Sequence, residues 1–146
     1  MNTISSLTPS DLTAAYRIEL ASHAFPWTEK TLQSNQGERY LNLKLEVNGQ
    51  MAAFAVTQVV LDEATLFNIA VHPDFQRQGL GRTLLQALIT ELGERGVMTL
   101  WLEVRASNAK AIALYRSFDF NEVSVRKGYY PSAEGREDAV IMALVL

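Results

Sequence analysis

The chain has 146 residues, 48% hydrophobic and 20% charged, with a formal net charge of −3. That suits a single domain over residues 1–146 with a real core, and its acidic balance without a Lys/Arg cluster fits a basic peptide partner, not direct nucleic acid binding. The absence of cysteine excludes disulfides and thiol nucleophiles; His23 and His72 show no metal-ligand spacing, and no membrane span or signal peptide is evident, so the expectation is a cytoplasmic protein with no metal and no membrane partner.

Thr3 to Leu7 alternates as a short first strand. Thr8-Pro9-Ser10-Asp11 is a helix start, with a capping Thr, Pro at the first helical position and an acid three residues on. The helix should run to about Ser22, carrying Leu12, Ala15, Tyr16 and Glu19 at helical spacing, until Phe25-Pro26-Trp27 breaks it. Thr28 can cap a short helix from Glu29 to about Ser34, ended by Gln36-Gly37. Tyr40 to Val47 alternates, with Leu41, Leu43, Leu45 and Val47 on one side. Asn48-Gly49 is a strong hairpin signal because both residues tolerate positive φ. Gln50 to Val60 returns as a strand, and Asp62-Glu63 turns the chain into Ala64 to Val71, completing a three-stranded meander.

After a loop, Leu80, Leu84, Leu88 and Leu92 form an i, i+4 stripe, and Gly93 and Gly96 end that helix. Thr99 to Val104 is a near-continuous apolar strand, expected to be central and parallel to the one before the helix. Asn108 to Phe118 is another helix, and Asn121 to Tyr129 with Asp138 to Leu146 closes as a strand pair around a Pro-Ser-Ala-Glu-Gly loop. The fold class expected is mixed α/β.

The loop between the third meander strand and the leucine-striped helix reads Gln76-Arg77-Gln78-Gly79-Leu80-Gly81. Two glycines let a turn expose several N–H groups at once, and the helix behind them places its positive dipole end under the same spot, a cradle for a pyrophosphate flanked by Arg77 and Arg82. A plain turn is the competing reading. The loop lacks the Gly-Lys-Ser/Thr ending of a Walker loop, and Leu84 stands where a dinucleotide fingerprint has its third glycine.

Gln-x-x-Gly-x-Gly behind Asn68-Ile69-Ala70-Val71-His72-Pro73 resembles motif A of the GCN5-related N-acetyltransferases, the GNAT family, and Thr3 to Leu146 follows that family's element order. The resemblance implies a GNAT fold of about seven strands and four helices, with a central parallel pair splayed around acetyl-CoA. It implies cofactor contacts at Ile69, Ala70, Val71, Gln76, Arg77, Gln78, Gly79, Leu80, Gly81, Arg82 and Asn108, with the Val71 amide polarising the thioester carbonyl.

Asn108-x-x-Ala111-x-x-Leu114-Tyr115 is a second signature. Seven residues are almost two helical turns, so Asn108 and Tyr115 share a face about 10 Å apart along the axis. Tyr115 reads as the acid that protonates the departing thiolate, or as a core residue with a bonded hydroxyl. Asp119 stands where the family commonly has Gly, a poorer left-handed cap. Glu103, within Leu100-Trp101-Leu102-Glu103-Val104, is a carboxylate in a buried-type strand. It reads as the general base or as the partner of Arg105 or Arg82.

Within the family three features are similar to the branch that acetylates the N-terminal alanine of the eighteenth small-subunit ribosomal protein. These are Ala24-Phe25-Pro26-Trp27, Trp101 to Arg105 with Asn108, and Tyr129-Tyr130-Pro131 before Glu137-Asp138-Ala139. The acceptor is then a ribosomal protein's N-terminal peptide, with Phe25, Trp27, Tyr129 and Tyr130 as walls of its slot or as aromatics packed on the core. An α-amine titrates at about 7.7–8.0 and Lys at about 10.4, so a modest base suffices for an N-terminus and direct transfer needs no covalent enzyme intermediate. A lysine or small-amine acetyltransferase, and a non-catalytic acetyl-CoA-binding module, are the alternatives.

Overall fold

In the computed structural model, which describes residues 1–146, the alternating and apolar segments join one mixed sheet of seven strands in the order β1-β2-β3-β4-β5-β7-β6. The strands are β1 (Asn2–Ser6), β2 (Leu43–Val47), β3 (Gln50–Val60), β4 (Glu63–Val71), β5 (Thr99–Arg105), β6 (Asn121–Ser132) and β7 (Gly135–Val145). The helices are α1 (Leu12–Ser22), α2 (Glu29–Ser34), α3 (Leu80–Glu94) and α4 (Ala109–Ser117). All neighbouring pairs are antiparallel except β4 with β5, which run parallel.

β3 is buried on both faces. Ala53 and Ala55 belong to the large core with Leu80, Leu84, Leu88 and Leu92 of α3, whereas Phe54 and Val56 belong to a smaller core with Ala15 and Ile18 of α1. Helices α1 and α3 therefore cover opposite faces of the sheet, and the leucine stripe does what its spacing predicts.

A one-residue register shift in the β3/β4 ladder, Val56 opposite Asn68 and then Thr57 opposite Leu66, leaves Phe67 as a bulge. A bulge reverses which face the following residues address. Before it Ala64 and Leu66 face the large core; after it Ala70 faces the small core, and Ile69 and Val71 turn to the large one. The parallel pairing with β5 spans only Glu63 to Leu66 opposite Thr99 to Leu102. Beyond the bulge β4 and β5 diverge, which is the splay the family resemblance implies.

Several boundaries differ from the sequence reading. The second meander turn uses Leu61, at φ 57°, and Asp62, while Glu63 enters β4 and accepts a hydrogen bond from Trp101 Nε1 at 3.1 Å. β2 begins at Leu43 rather than Tyr40 because the Asn42 side chain takes over the ladder, its Oδ1 accepting from Thr57 N–H at 3.0 Å. β5 alternates between buried and half-buried positions instead of being buried throughout, since Thr99, Trp101, Glu103 and Arg105 face away from the large core. Gly93 lies inside α3. The helix ends instead with Gly96 at φ 84°, whose N–H bonds the Gly93 carbonyl while Val97 N–H bonds that of Leu92. α4 ends the same way around Asp119 at φ 72°, with Asp119 and Phe120 N–H on the Arg116 and Tyr115 carbonyls. The closing hairpin reaches Ser132 and Gly135, so its loop is shorter than expected.

Candidate active site

The end of β4 is an open edge. His72 N–H bonds the Ala52 carbonyl on β3, at 2.9 Å. Backbone groups alternate direction along a strand, so the N–H and C=O groups of Ile69 and Val71 point the other way, into the gap left by β5. The Val71 carbonyl is met there by Gln76 Nε2 at 3.0 Å, which ties the loop to the strand.

The loop then turns through two left-handed residues, Arg77 at φ 65° and Gly79 at φ 72°. A non-glycine residue in that region costs roughly 1 kcal/mol, so Arg77 stores strain at this corner. Gly79 is the N-cap of α3, its carbonyl accepting from Thr83 N–H and Thr83 Oγ1, both at 3.0 Å. The N–H groups of Leu80, Gly81 and Arg82 stand in the first turn, without carbonyls four residues back to pair with.

These elements line a groove of about 660 Å³, bounded by Ile69, Ala70, Val71, Gln76, Arg77, Gly79, Leu80, Gly81, Arg82 and Asn108. Of the sequence-expected cofactor residues only Gln78 is not on its wall. Arg82 is held by Ser117 Oγ at 3.0 Å and lies over the Phe118 ring at 5.2 Å. Lys110 adds a third cation to the wall, and Phe75, Ala111 and Leu114 add apolar surface. Sequence reasoning missed Lys110, although it stands two positions beyond Asn108. Asn108 is the N-cap of α4, its Oδ1 accepting from Ala111 N–H at 3.2 Å.

Glu103 and Tyr115 belong to opposite faces of the sheet. Tyr115 is buried in the large core, packed on Phe120 with ring centroids 5.6 Å apart. Burial, with the neighbouring Tyr130 phenol, pushes its hydroxyl up to about 12. Glu103 is half-buried and pairs with Arg126 Nη2 at 3.5 Å, not with Arg105 or Arg82 as the sequence suggested. Tyr130 links the two: its own phenol is pushed up to about 12 by burial first and then by the Glu103 charge.

The four aromatics divide. Phe25 and Tyr130 sandwich the Arg105 guanidinium, each ring centroid 4.5 Å from Cζ, and Arg105 also bonds Glu137 Oε1 at 3.1 Å. Tyr129 meets Tyr130 edge-on at 5.0 Å and receives Arg126 over its face. Trp27 packs on the small core. Next to the groove a cavity of about 330 Å³ is walled by Ser22, His23, Phe25, Arg105, Asn108 and Glu137 among others. Hydrogen bonds from Ser107 and Arg105 hold the Glu137 carboxyl below its ordinary range.

An open strand edge, a left-handed loop and a helix N-terminus follow one another in this order, and the chain is similar to known proteins. Residues 5–120 fit the model of the Acetyltransferase (GNAT) family. The chain is 73% identical over 144 residues to the [ribosomal protein bS18]-alanine N-acetyltransferase of Escherichia coli, covering 99% of this chain and 97% of that one. It is 54% identical over 147 residues, all of both chains, to the protein of the same description from Haemophilus influenzae. The crystal structure of the Escherichia coli ribosomal-protein-alanine N-acetyltransferase superposes with a TM-score of 0.98 at 72% identity, covering 99% of this chain and 94% of that one. Ard1 from Thermoplasma volcanium superposes at 0.88 with 26% identity, over 99% and 97%. Geometry and kinship agree, and the chain belongs to the GNAT family of acetyltransferases.

Proposed function

We propose that this protein moves the acetyl group of acetyl-CoA to the N-terminal alanine of ribosomal protein bS18, the activity in the names of its relatives. The observation that carries the reading is the splayed end of β4, where the Ile69 backbone and the Val71 N–H stand open, with the Val71 carbonyl tied to Gln76, directly ahead of the Arg77–Arg82 turn. That arrangement fits the carrier chemically. Amide groups on an open edge suit the amides of a pantetheine arm, and N-terminal helix amides beside Arg77, Arg82 and Lys110 suit its phosphates. Acetyl-CoA supplies an activated thioester; the protein supplies position, a base and a hydrogen-bond donor.

The Val71 N–H polarises the thioester carbonyl from the open edge. Glu103 takes a proton from the acceptor's ammonium, directly or through a water, and the free amine attacks. Tyr115 stays protonated because its hydroxyl titrates near 12, so it donates to the departing sulfur. The acceptor peptide lies against Phe25 and Tyr130, which Arg105 holds apart at a fixed spacing, with Tyr129 beside Tyr130 and Trp27 packed behind on the small core. Such an acceptor places the protein in the cytoplasm with the ribosome.

The test is acetylation of unmodified bS18 by the purified protein, read by mass spectrometry of the N-terminal peptide. Acetyl-CoA is the donor, with lysine-bearing and small-amine acceptors alongside. Acetylation at the alanine α-amine is the expected result. Preference for lysine or a small amine overturns the acceptor, and carrier binding without turnover overturns catalysis.

A further inference from the structure

Glu19 is 1% exposed, and nothing in the transfer chemistry uses it. A buried carboxylate must find donors. Its Oε2 accepts from Trp27 N–H at 2.8 Å, and its Oε1 from Asn68 Nδ2 at 2.7 Å. Carboxylate oxygens only accept, so the amide end of Asn68 that faces Glu19 is the NH2 group. Asn68 Oδ1 is thereby turned to His23 Nε2, 3.0 Å away, and that contact requires a proton on Nε2. His23 Nε2 also lies 3.6 Å from Glu19 Oε1, so both neighbours favour the proton on Nε2; in the neutral imidazole this leaves Nδ1 as an acceptor.

Nδ1 has no partner within the protein. The His23 side chain is 36% exposed and stands at the junction of the two cavities. In the groove it adjoins Ile69, Ala70 and Val71; in the smaller cavity it adjoins Phe25, Arg105 and Glu137. The groove's cations Arg77, Arg82 and Lys110 are absent from the smaller cavity, whose one guanidinium, Arg105, is already paired with Glu137 at 3.1 Å.

We propose that His23 binds the acceptor peptide, its Nδ1 accepting a hydrogen bond from an N–H of the peptide's N-terminal segment. Glu19 and Asn68 are positioning residues that set the imidazole tautomer. This rests on the functional reading above, with the larger groove taken by the carrier and the smaller cavity by the acceptor.

The relay can be reversed without changing its shape. In Glu19→Gln the only arrangement that satisfies Trp27 N–H leaves the new amide NH2 facing Asn68. Asn68 must then present Oδ1 to residue 19 and NH2 to His23 Nε2. The imidazole proton moves to Nδ1, and an acceptor becomes a donor toward the peptide.

Steady-state kinetics with an Ala-starting bS18 peptide, calorimetry with acetyl-CoA, and ¹⁵N NMR of the imidazole in the intact protein test this. Glu19→Gln and His23→Leu are expected to raise the peptide KM roughly tenfold, the size of one neutral hydrogen bond left unmade. Saturated kcat and acetyl-CoA Kd should stay within about twofold. His23→Asn, whose Oδ1 stands near the position of Nδ1, should recover most of the peptide affinity; His23→Gln should not. The ¹⁵N spectrum should show Nε2–H in the wild type and Nδ1–H in Glu19→Gln. A wild-type Nδ1–H tautomer, an unmoved peptide KM in His23→Leu, or an equal loss of acetyl-CoA affinity overturns the proposal. If Glu19→Gln does not fold, the wild-type spectrum and the His23 variants still decide it. Failure of the wild type to acetylate the peptide defeats the functional reading, whereas turnover with an unmoved KM defeats this inference alone.

Discussion

Replacing Tyr115 with Phe isolates one oxygen atom. The ring keeps its contact with Phe120, and the backbone carbonyl of residue 115 still accepts from Phe118 and Phe120 N–H. The hydroxyl has no hydrogen-bond partner inside the protein, so its removal orphans no buried group. Stability should therefore change by no more than about 0.5 kcal/mol. The catalytic cost follows from the phenol's acidity. With a pKa of about 12 it is a weak acid, and an ordinary thiol titrates near 8.5. Full proton transfer to the sulfur is uphill by about 3.5 pKa units, close to 5 kcal/mol.

The hydroxyl therefore acts chiefly as a hydrogen-bond donor as charge builds on the sulfur, with the proton following bond cleavage. Such a charge-assisted hydrogen bond contributes about 1.5–3 kcal/mol, or a loss of roughly 10- to 150-fold in kcat for Tyr115→Phe. Stopped-time acetylation assays at saturating peptide and carrier measure the loss; calorimetry measures acetyl-CoA affinity; urea melts measure stability. A kcat within threefold of wild type, or an equal fall in carrier affinity, refutes the donor role. A drop in stability beyond about 1 kcal/mol shows that the hydroxyl was structural.

Glu103→Gln removes the base but keeps the side-chain volume, so kcat should fall by about 10²-fold or more; a kcat within about threefold of wild type excludes Glu103 as the base. Gly79→Glu sets a bulky anion at φ 72° in the cradle, and calorimetry should detect no acetyl-CoA binding while circular dichroism stays native. For Asp11, burial raises the carboxyl's proton affinity, but hydrogen bonds from Thr8 and from Lys44 Nζ at 3.0 Å outweigh it, so the folded pKa lies below the ordinary value. A lowered carboxylate pKa stabilises the fold above the unfolded value and loses that contribution as pH falls through the folded one. Urea melts should therefore find Asp11→Asn less stable than wild type near neutrality, with the gap closing as pH falls below the ordinary carboxylate range; a gap that does not shrink in acid refutes the linkage.

Patterns that act over a few residues were legible before any coordinates. Alternation at two residues placed β2, the Asn48-Gly49 turn returned the chain as β3, an apolar run marked β4, and the leucines at i, i+4 placed α3 on its sheet face. Thr28 caps α2 as its chemistry predicts, accepting from Thr31 N–H at 3.1 Å, and Asn48 and Gly49 both take positive φ in their turn. The Gly79 loop was legible for the same reason, since its turn, helix start and preceding strand are contiguous in the chain.

The rest of the site depends on strand register, which no local pattern specifies. The bulge at Phe67 sends Asn68 to the α1 face and opens β4 away from β5, yet the sequence there reads as an unbroken apolar run. Glu19 showed only as a polar residue on an apolar helical stripe; its partners Asn68 and His23 come from a strand and a helix end that only the fold brings together. Glu103 reaches Arg126 instead of the nearer Arg105 because Arg105 is held between Phe25 and Tyr130. Short-range periodicity thus determined the elements and the anion loop. Long-range register, shifted by one bulged residue, decided which side chains share the cavity, because each such shift turns every following residue to the opposite face.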